Sequence, residues 1–107
     1  MTPKKRKRLS MPSFVILSGR KFKLALAPEG GLRMDTLGQY IQMQGRIVIS
    51  VGVGDDQAKS TVLHEMFHDF DAQSSCDLTE VQVNSLSALM FAALRDNPRL
   101  IAWMQEK

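Results

Sequence analysis

Residues 56–73 read Asp-Gln-Ala-Lys-Ser-Thr-Val-Leu-His-Glu-Met-Phe-His-Asp-Phe-Asp-Ala-Gln. On a helical wheel at roughly 100° per residue, Ala58, Val62, Leu63, Met66, Phe67 and Phe70 fall within one half, and His64, His68 and Asp71 gather on the other. The stretch predicts an amphipathic helix, with Asp55 or Asp56 as its cap. Within it, His64-Glu65-Met66-Phe67-His68 sets two imidazoles one turn apart, where both can reach a single metal ion, with Glu65 to their side. Both histidines of the chain lie in this pentapeptide. Imidazoles turned away from an apolar stripe must meet solvent or a polar partner, which argues against ordinary core histidines.

Upstream, the hydrophobic period changes from helical to two. Residues 14–17 (Phe-Val-Ile-Leu) are β-prone, and Ser18-Gly19 offers a turn. Residues 20–26 then alternate, Phe22, Leu24 and Leu26 against Lys21 and Lys23, until Pro28-Glu29-Gly30-Gly31 ends the strand. Residues 37–43 and 46–51 predict a second hairpin about Gln44-Gly45, closed by Gly52-Val53-Gly54, with Ile47, Val48, Ile49 and Val51 as the most strand-like run.

Downstream, Ser74-Ser75-Cys76-Asp77 is a short connection to a second helix over 78–95. Its stripe is Val81, Leu86, Leu89, Met90, Ala93 and Leu94, and it stops before Asn97-Pro98. Pro98 opens a short last helix, 98–105, whose Leu100, Ile101, Trp103 and Met104 are expected to cover one side of the core. The expected class is α+β: a mostly antiparallel sheet of three to four strands packed on two long helices and a short C-terminal one.

At 107 residues, 44% of them hydrophobic, the chain suits one domain over 14–107 behind a tail of 1–13. Lys4-Lys5-Arg6-Lys7-Arg8 hold five of the 14 basic residues, which leaves nine against 11 acidic ones, or −2, for residues 9–107. The basic character therefore reads as belonging to a disordered tail, able to make a few salt-sensitive nucleic-acid phosphate contacts or simply to aid solubility. No apolar run nears the roughly 18 residues of a membrane span, and no cleavage site follows the basic start. A cytoplasmic protein is expected. The single cysteine, Cys76, has no partner for an internal disulfide and agrees with a reducing compartment.

A catalytic zinc usually takes three protein ligands and a water, so with two histidines the third is a carboxylate or Cys76. Asp71 lies three residues beyond the second histidine on the same face, a position suited to orienting an imidazole. Glu80 starts the second helix, which folds back along the first and can bring a carboxylate from a new direction. Asp77-Leu78-Thr79-Glu80 also reads as a capping box with Glu80 at its third helical position, and Asp77 is a further candidate.

Leu63-His64-Glu65-x-x-His68, followed after a short loop by Glu80-x-x-Val83-Asn84, is similar to the gluzincin pattern. More closely it resembles the ImmA/IrrE-like metallopeptidases, in particular the small phage and prophage members. Gly19-Arg20-Lys21, Leu37-Gly38, Val62-Leu63-His64-Glu65 and Arg95-Asp96-Asn97-Pro98 carry the rest of the likeness, over about residues 14–105. The resemblance implies a minimal zincin-like core with Zn2+ held by His64, His68 and Glu80, supported by Asp71 and Asn84. It further implies Glu65 as general base and cleavage of a peptide bond in a partner protein, in that family often a repressor, within a bacterial or phage-infected cell. Two features depart from the family: the basic tail, and the lack of a spare histidine to stabilise an oxyanion, which leaves Tyr40 as the donor to consider. The strand nearest the zinc helix, 46–51, is expected to hold an extended substrate along its edge. The alternative reading is a non-catalytic zinc-containing regulatory module, DNA-associated through Lys4, Lys5, Arg6, Lys7 and Arg8; an intact Glu65 argues against it.

Overall fold

The computed structural model describes residues 10–27, 37–50 and 54–107. The basic run 4–8, the Pro28–Gly31 break, Val51 and Gly52-Val53 lie outside the described residues. The chain is α+β: β1 (Phe14–Leu17), β2 (Arg20–Ala27), β3 (Gly38–Ile41), β4 (Arg46–Ser50), α1 (Asp55–Ser74), α2 (Glu80–Asp96) and α3 (Pro98–Gln105). Both expected hairpins are present. Ser18 and Gly19 turn the first with positive φ of 51° and 76°, a geometry glycine adopts without penalty. β1 begins at Phe14, and just ahead of it the Ser13 carbonyl accepts from the Leu24 N–H at 2.9 Å.

Strand order is β1-β2-β4-β3, with antiparallel outer pairs and a parallel central pair, β2 with β4. The hairpins do not simply sit side by side. β4 takes the middle of the second half because Ile47, Val48 and Ile49 are all buried, a run that needs cover on both faces, whereas Gly38-Gln39-Tyr40-Ile41 tolerates an edge. This overturns the expectation that 46–51 holds a substrate: β4 is paired on both sides and has no free edge. Among the described residues, the unpaired edge beside α1 belongs to β3.

Leu17, Phe22, Leu24, Ile47 and Ile49 form the core, and Ala58, Val62 and Met66 of α1 pack on it. The most buried positions of α1 are nevertheless polar, Thr61, Glu65 and Asp69, spaced four apart along one line. α1 starts from Gly54 with no side-chain cap; Asp55 and Asp56 instead occupy its first turn, where they favour the positive end of the helix dipole.

The expected roles of α2 and α3 change more. α2 packs on α1 and not on the sheet, so it has a single large neighbour, which it meets through Val83 and the small Ser87. Val81, Leu86, Leu89 and Met90 stay exposed, and so do Leu100, Trp103 and Met104 of α3, which among the described elements touches α2 alone. The C-terminal helix does not cover the core. No described helix is long and apolar enough to cross a membrane.

Candidate metal centre

α1 presents His64 and His68 from successive turns with their Nε2 atoms 3.2 Å apart and their rings edge to face. The ligand atoms of His64, Glu65 and His68 all lie within 4.8 Å of one another, a cluster that can hold a metal ion. A fourth group enters from α2: Glu80 Oε1 is 2.8 Å from His64 Nε2, and Glu80 Oε2 is 3.5 Å from His68 Nε2. Glu65 Oε1 stands 4.0 Å from His68 Nε2 and is almost fully enclosed, whereas the Glu80 side chain is 62% exposed. The imidazoles thus face two carboxylates of opposite character, one buried beneath them and one arriving from solvent.

Glu80 is free to do this because it does not cap its helix. The cap is Thr79, whose Oγ1 accepts from the Gln82 N–H at 3.1 Å while Gln82 Oε1 accepts from the Thr79 N–H at 2.8 Å. The capping box expected over Asp77–Glu80 is displaced by two residues, leaving Glu80 at the first helical position. Asp71 is not beside an imidazole: its Oδ1 accepts from the Leu78 N–H at 2.9 Å. It ties the end of α1 to the residues just before α2, across a connection in which Ser75 and Asp77 both have positive φ. Its effect on Glu80 runs through the loop. Asp77 and Cys76 are exposed.

Glu65 is built into the edge of the sheet. The Leu37 carbonyl accepts from the Ser50 N–H at 2.8 Å, so by antiparallel alternation Gly38 and Tyr40 direct their main-chain groups away from β4. The Tyr40 N–H meets the Glu65 carboxylate. Burial pushes the Glu65 carboxyl from its ordinary 4.5 up to about 7; the charge of Glu80 adds to this, and His64 and the Tyr40 N–H oppose it. Such close approach of β3 to α1 depends on Gly38, where a Cβ would lie 2.6 Å from Thr61 Cγ2, 3.2 Å from the Val48 oxygen and 3.4 Å from Glu65 Cγ.

The Tyr40 hydroxyl is committed elsewhere than expected. It donates to Asp69 Oδ1 at 2.7 Å, with its ring against Phe22, and does not line the cleft. Burial, then the Asp69 hydrogen bond and charge, raise the Tyr40 pKa to about 12, so the phenol remains a donor. Tyr40 serves this site through its backbone. Sequence reasoning missed Asp69, which is fully buried, and also Thr61 and Gly38. A polar line at i, i+4 and i+8 was the available signal for the first two.

A cleft of about 380 Å³ opens beside the cluster between β3, α1 and α2. Gly38, Thr61, His64, Glu65, Glu80 and Asn84 are among its walls. Asn84 therefore stands in the same cleft as the imidazoles, one turn beyond Glu80. Comparison with protein-family models, with curated proteins and with solved structures returns no match.

Proposed function

We propose that the protein is a zinc-dependent peptidase that hydrolyses a peptide bond in a partner protein. The observation that carries this reading is the approach of Glu80 to both imidazole Nε2 atoms above a buried Glu65. Four ligands at about 2.1 Å in a tetrahedron lie ~3.4 Å from one another. The His64 and His68 Nε2 atoms, 3.2 Å apart, and the Glu80 carboxylate, with Oε1 2.8 Å from one and Oε2 3.5 Å from the other, are at separations of this order. Neutral nitrogen and carboxylate donors in this number suit zinc.

Zinc held there by His64, His68 and Glu80 would supply Lewis acidity and lower the pKa of an attacking water toward about 7. Glu65 accepts the water proton at its carboxylate and returns it to the leaving amine. The Tyr40 N–H holds that carboxylate in place. The outward groups of Gly38 on the free edge of β3 give an extended peptide a strand to pair with, next to the cleft. Tyr40 is assigned no oxyanion role, because its hydroxyl proton is held by Asp69.

The test compares wild type with Glu65→Gln, co-expressed with candidate regulator proteins, by following cleavage. Glu65→Gln preserves size and most hydrogen bonding but takes no proton. Cleavage is expected to fall by about 10²–10⁴-fold with zinc content retained. A variant that supports the biological effect in full would show that the chain acts by binding.

A further inference from the structure

The charge of this chain is divided between its halves and not merely concentrated in a tail. Residues 1–50 hold ten basic and two acidic residues, +8, and residues 51–107 hold four basic and nine acidic, −5. The four strands contain Arg20, Lys21, Lys23 and Arg46 and no acidic residue. Phe22, Leu24 and Ile47 face the core with α1, so alternation turns Lys21, Lys23 and Arg46 to the other face of the sheet, together with Phe14 and Ile16. No described helix packs on that face; Phe14, Ile16, Lys21 and Lys23 are exposed on its β1–β2 part, whereas Ala27 and Val48 on the same face are buried.

The strand register sets these groups in rows. Phe14 is opposite Lys23, Lys23 is opposite Arg46, and Ile16 is opposite Lys21. Adjacent strands lie about 4.8 Å apart, so the first row runs from an aromatic ring across two cations within ~10 Å. Lys21 Nζ sits 4.3 Å from the centroid of the Phe14 ring, which joins charge and stacking surface in one unit. Arg46 Nε is buried and has no hydrogen-bond partner among the described residues, which leaves Lys21 and Lys23 as the accessible cations of the face.

We propose that the exposed β1–β2 part of this face binds single-stranded nucleic acid, with Lys21 and Lys23 on phosphates and Phe14 stacked on a base. The complementarity of charge selects a polyanion. The exposed ring selects a single strand, because a duplex keeps its base faces stacked. In sequence the basic run 4–8 ends six residues before Phe14, so the chain can carry Arg8 at most about 20 Å from it and Lys4 at most about 35 Å. This role is independent of the metal centre, which lies on the helical side of the sheet.

The test is binding of a fluorescent oligothymidylate to the full chain across a salt series, with a DNA duplex and anionic phospholipid vesicles as competitors. Lys21→Gln with Lys23→Gln is expected to flatten the slope of log K against log salt by about 1.4, at 0.7 per lost contact. Phe14→Ala is expected to weaken binding about tenfold with the slope unchanged. Replacing the five basic residues of 4–8 by glutamine is expected to weaken binding while leaving the effect of the lysine pair in place. All these side chains lie at the surface or in the tail, so melting temperature and zinc content serve as fold controls. The proposal is overturned if the lysine pair leaves affinity and slope unchanged, if the duplex competes as well as the single strand, or if only the vesicles bind.

Discussion

Gly38→Ala puts a methyl group where β3 crosses α1, and the structure says how much must give. The new Cβ would be 2.6 Å from Thr61 Cγ2 and 3.2 Å from the Val48 oxygen, whereas ordinary contact begins near 3.4 Å. Thr61 cannot rotate away freely, because its hydroxyl donates to the Gln57 carbonyl at 2.6 Å. β3 must therefore back off by nearly an ångström or α1 must tilt, and overpacking of this kind costs typically about 1–3 kcal/mol. The same movement carries the Tyr40 N–H away from Glu65, so this carboxylate loses a hydrogen bond that stabilises its charged form. Denaturant unfolding of the zinc-loaded protein measures the first effect and partner cleavage the second. Thr61→Ser is the informative companion: it deletes Cγ2, keeps the hydroxyl and removes the shortest contact. In the double variant most of the lost stability and activity is expected to return, with a coupling energy of about 1 kcal/mol or more. A cost of Gly38→Ala below about 0.5 kcal/mol, or no recovery with Thr61→Ser, would refute the claim that Gly38 sets the distance between base and sheet edge.

Four further outcomes are expected. His64→Ala should lose bound zinc and, because metal and folding are coupled in small domains, much of its melting temperature; metal analysis by mass spectrometry checks this. Glu80→Gln should weaken zinc in a competition assay far more than Asp71→Asn or Asp77→Asn, and a larger effect of Asp77→Asn would remove Glu80 from the ligand set. With zinc chelated, Glu65 retains a proton in the folded state between pH 4.5 and about 7, so its contribution to stability is full below 4.5 and is lost as pH rises to about 7. Glu65→Gln has no such loss, and chelated protein above pH 7 should be more stable as the variant than as wild type, by at most about 3 kcal/mol, with the gain gone at pH 4. Tyr40→Phe leaves Asp69 buried with neither oxygen partnered and should cost about 1–3 kcal/mol by denaturant unfolding while retaining measurable cleavage.

The sequence made the elements legible because their signals are local. Alternation marked β2, the Ile47–Ile49 run marked β4, and Pro98 at the first position fixed the start of α3. The pairing of His64 with His68 was equally local, since four residues of helix bring two side chains together wherever the helix lies. What could not be read was layering. An apolar stripe shows that a helix has a face to bury, not that a neighbour exists to bury it, and for Leu89 or Trp103 none is supplied by the described residues.

Those failures of layering and the polar line in α1 have one cause. A helix that lies flat on a sheet buries its apolar stripe at the centre of the contact, as the wheel of α1 predicts. α1 instead sits toward the β3 edge, so its contact with the sheet is shared between apolar residues on the core side and Thr61, Glu65 and Asp69 at the rim. At a rim, unlike at the centre of a sheet, the strand has main-chain donors to spare, and the Tyr40 N–H and hydroxyl satisfy Glu65 and Asp69 there. Displacing the helix to the edge is thus what allows a carboxylate to be buried without being orphaned, and it leaves the opposite flank of α1 open for α2 to deliver Glu80. A buried carboxylate held by a main-chain donor and a second carboxylate delivered to two imidazoles follow from one placement, which no reading of a single helix wheel contains.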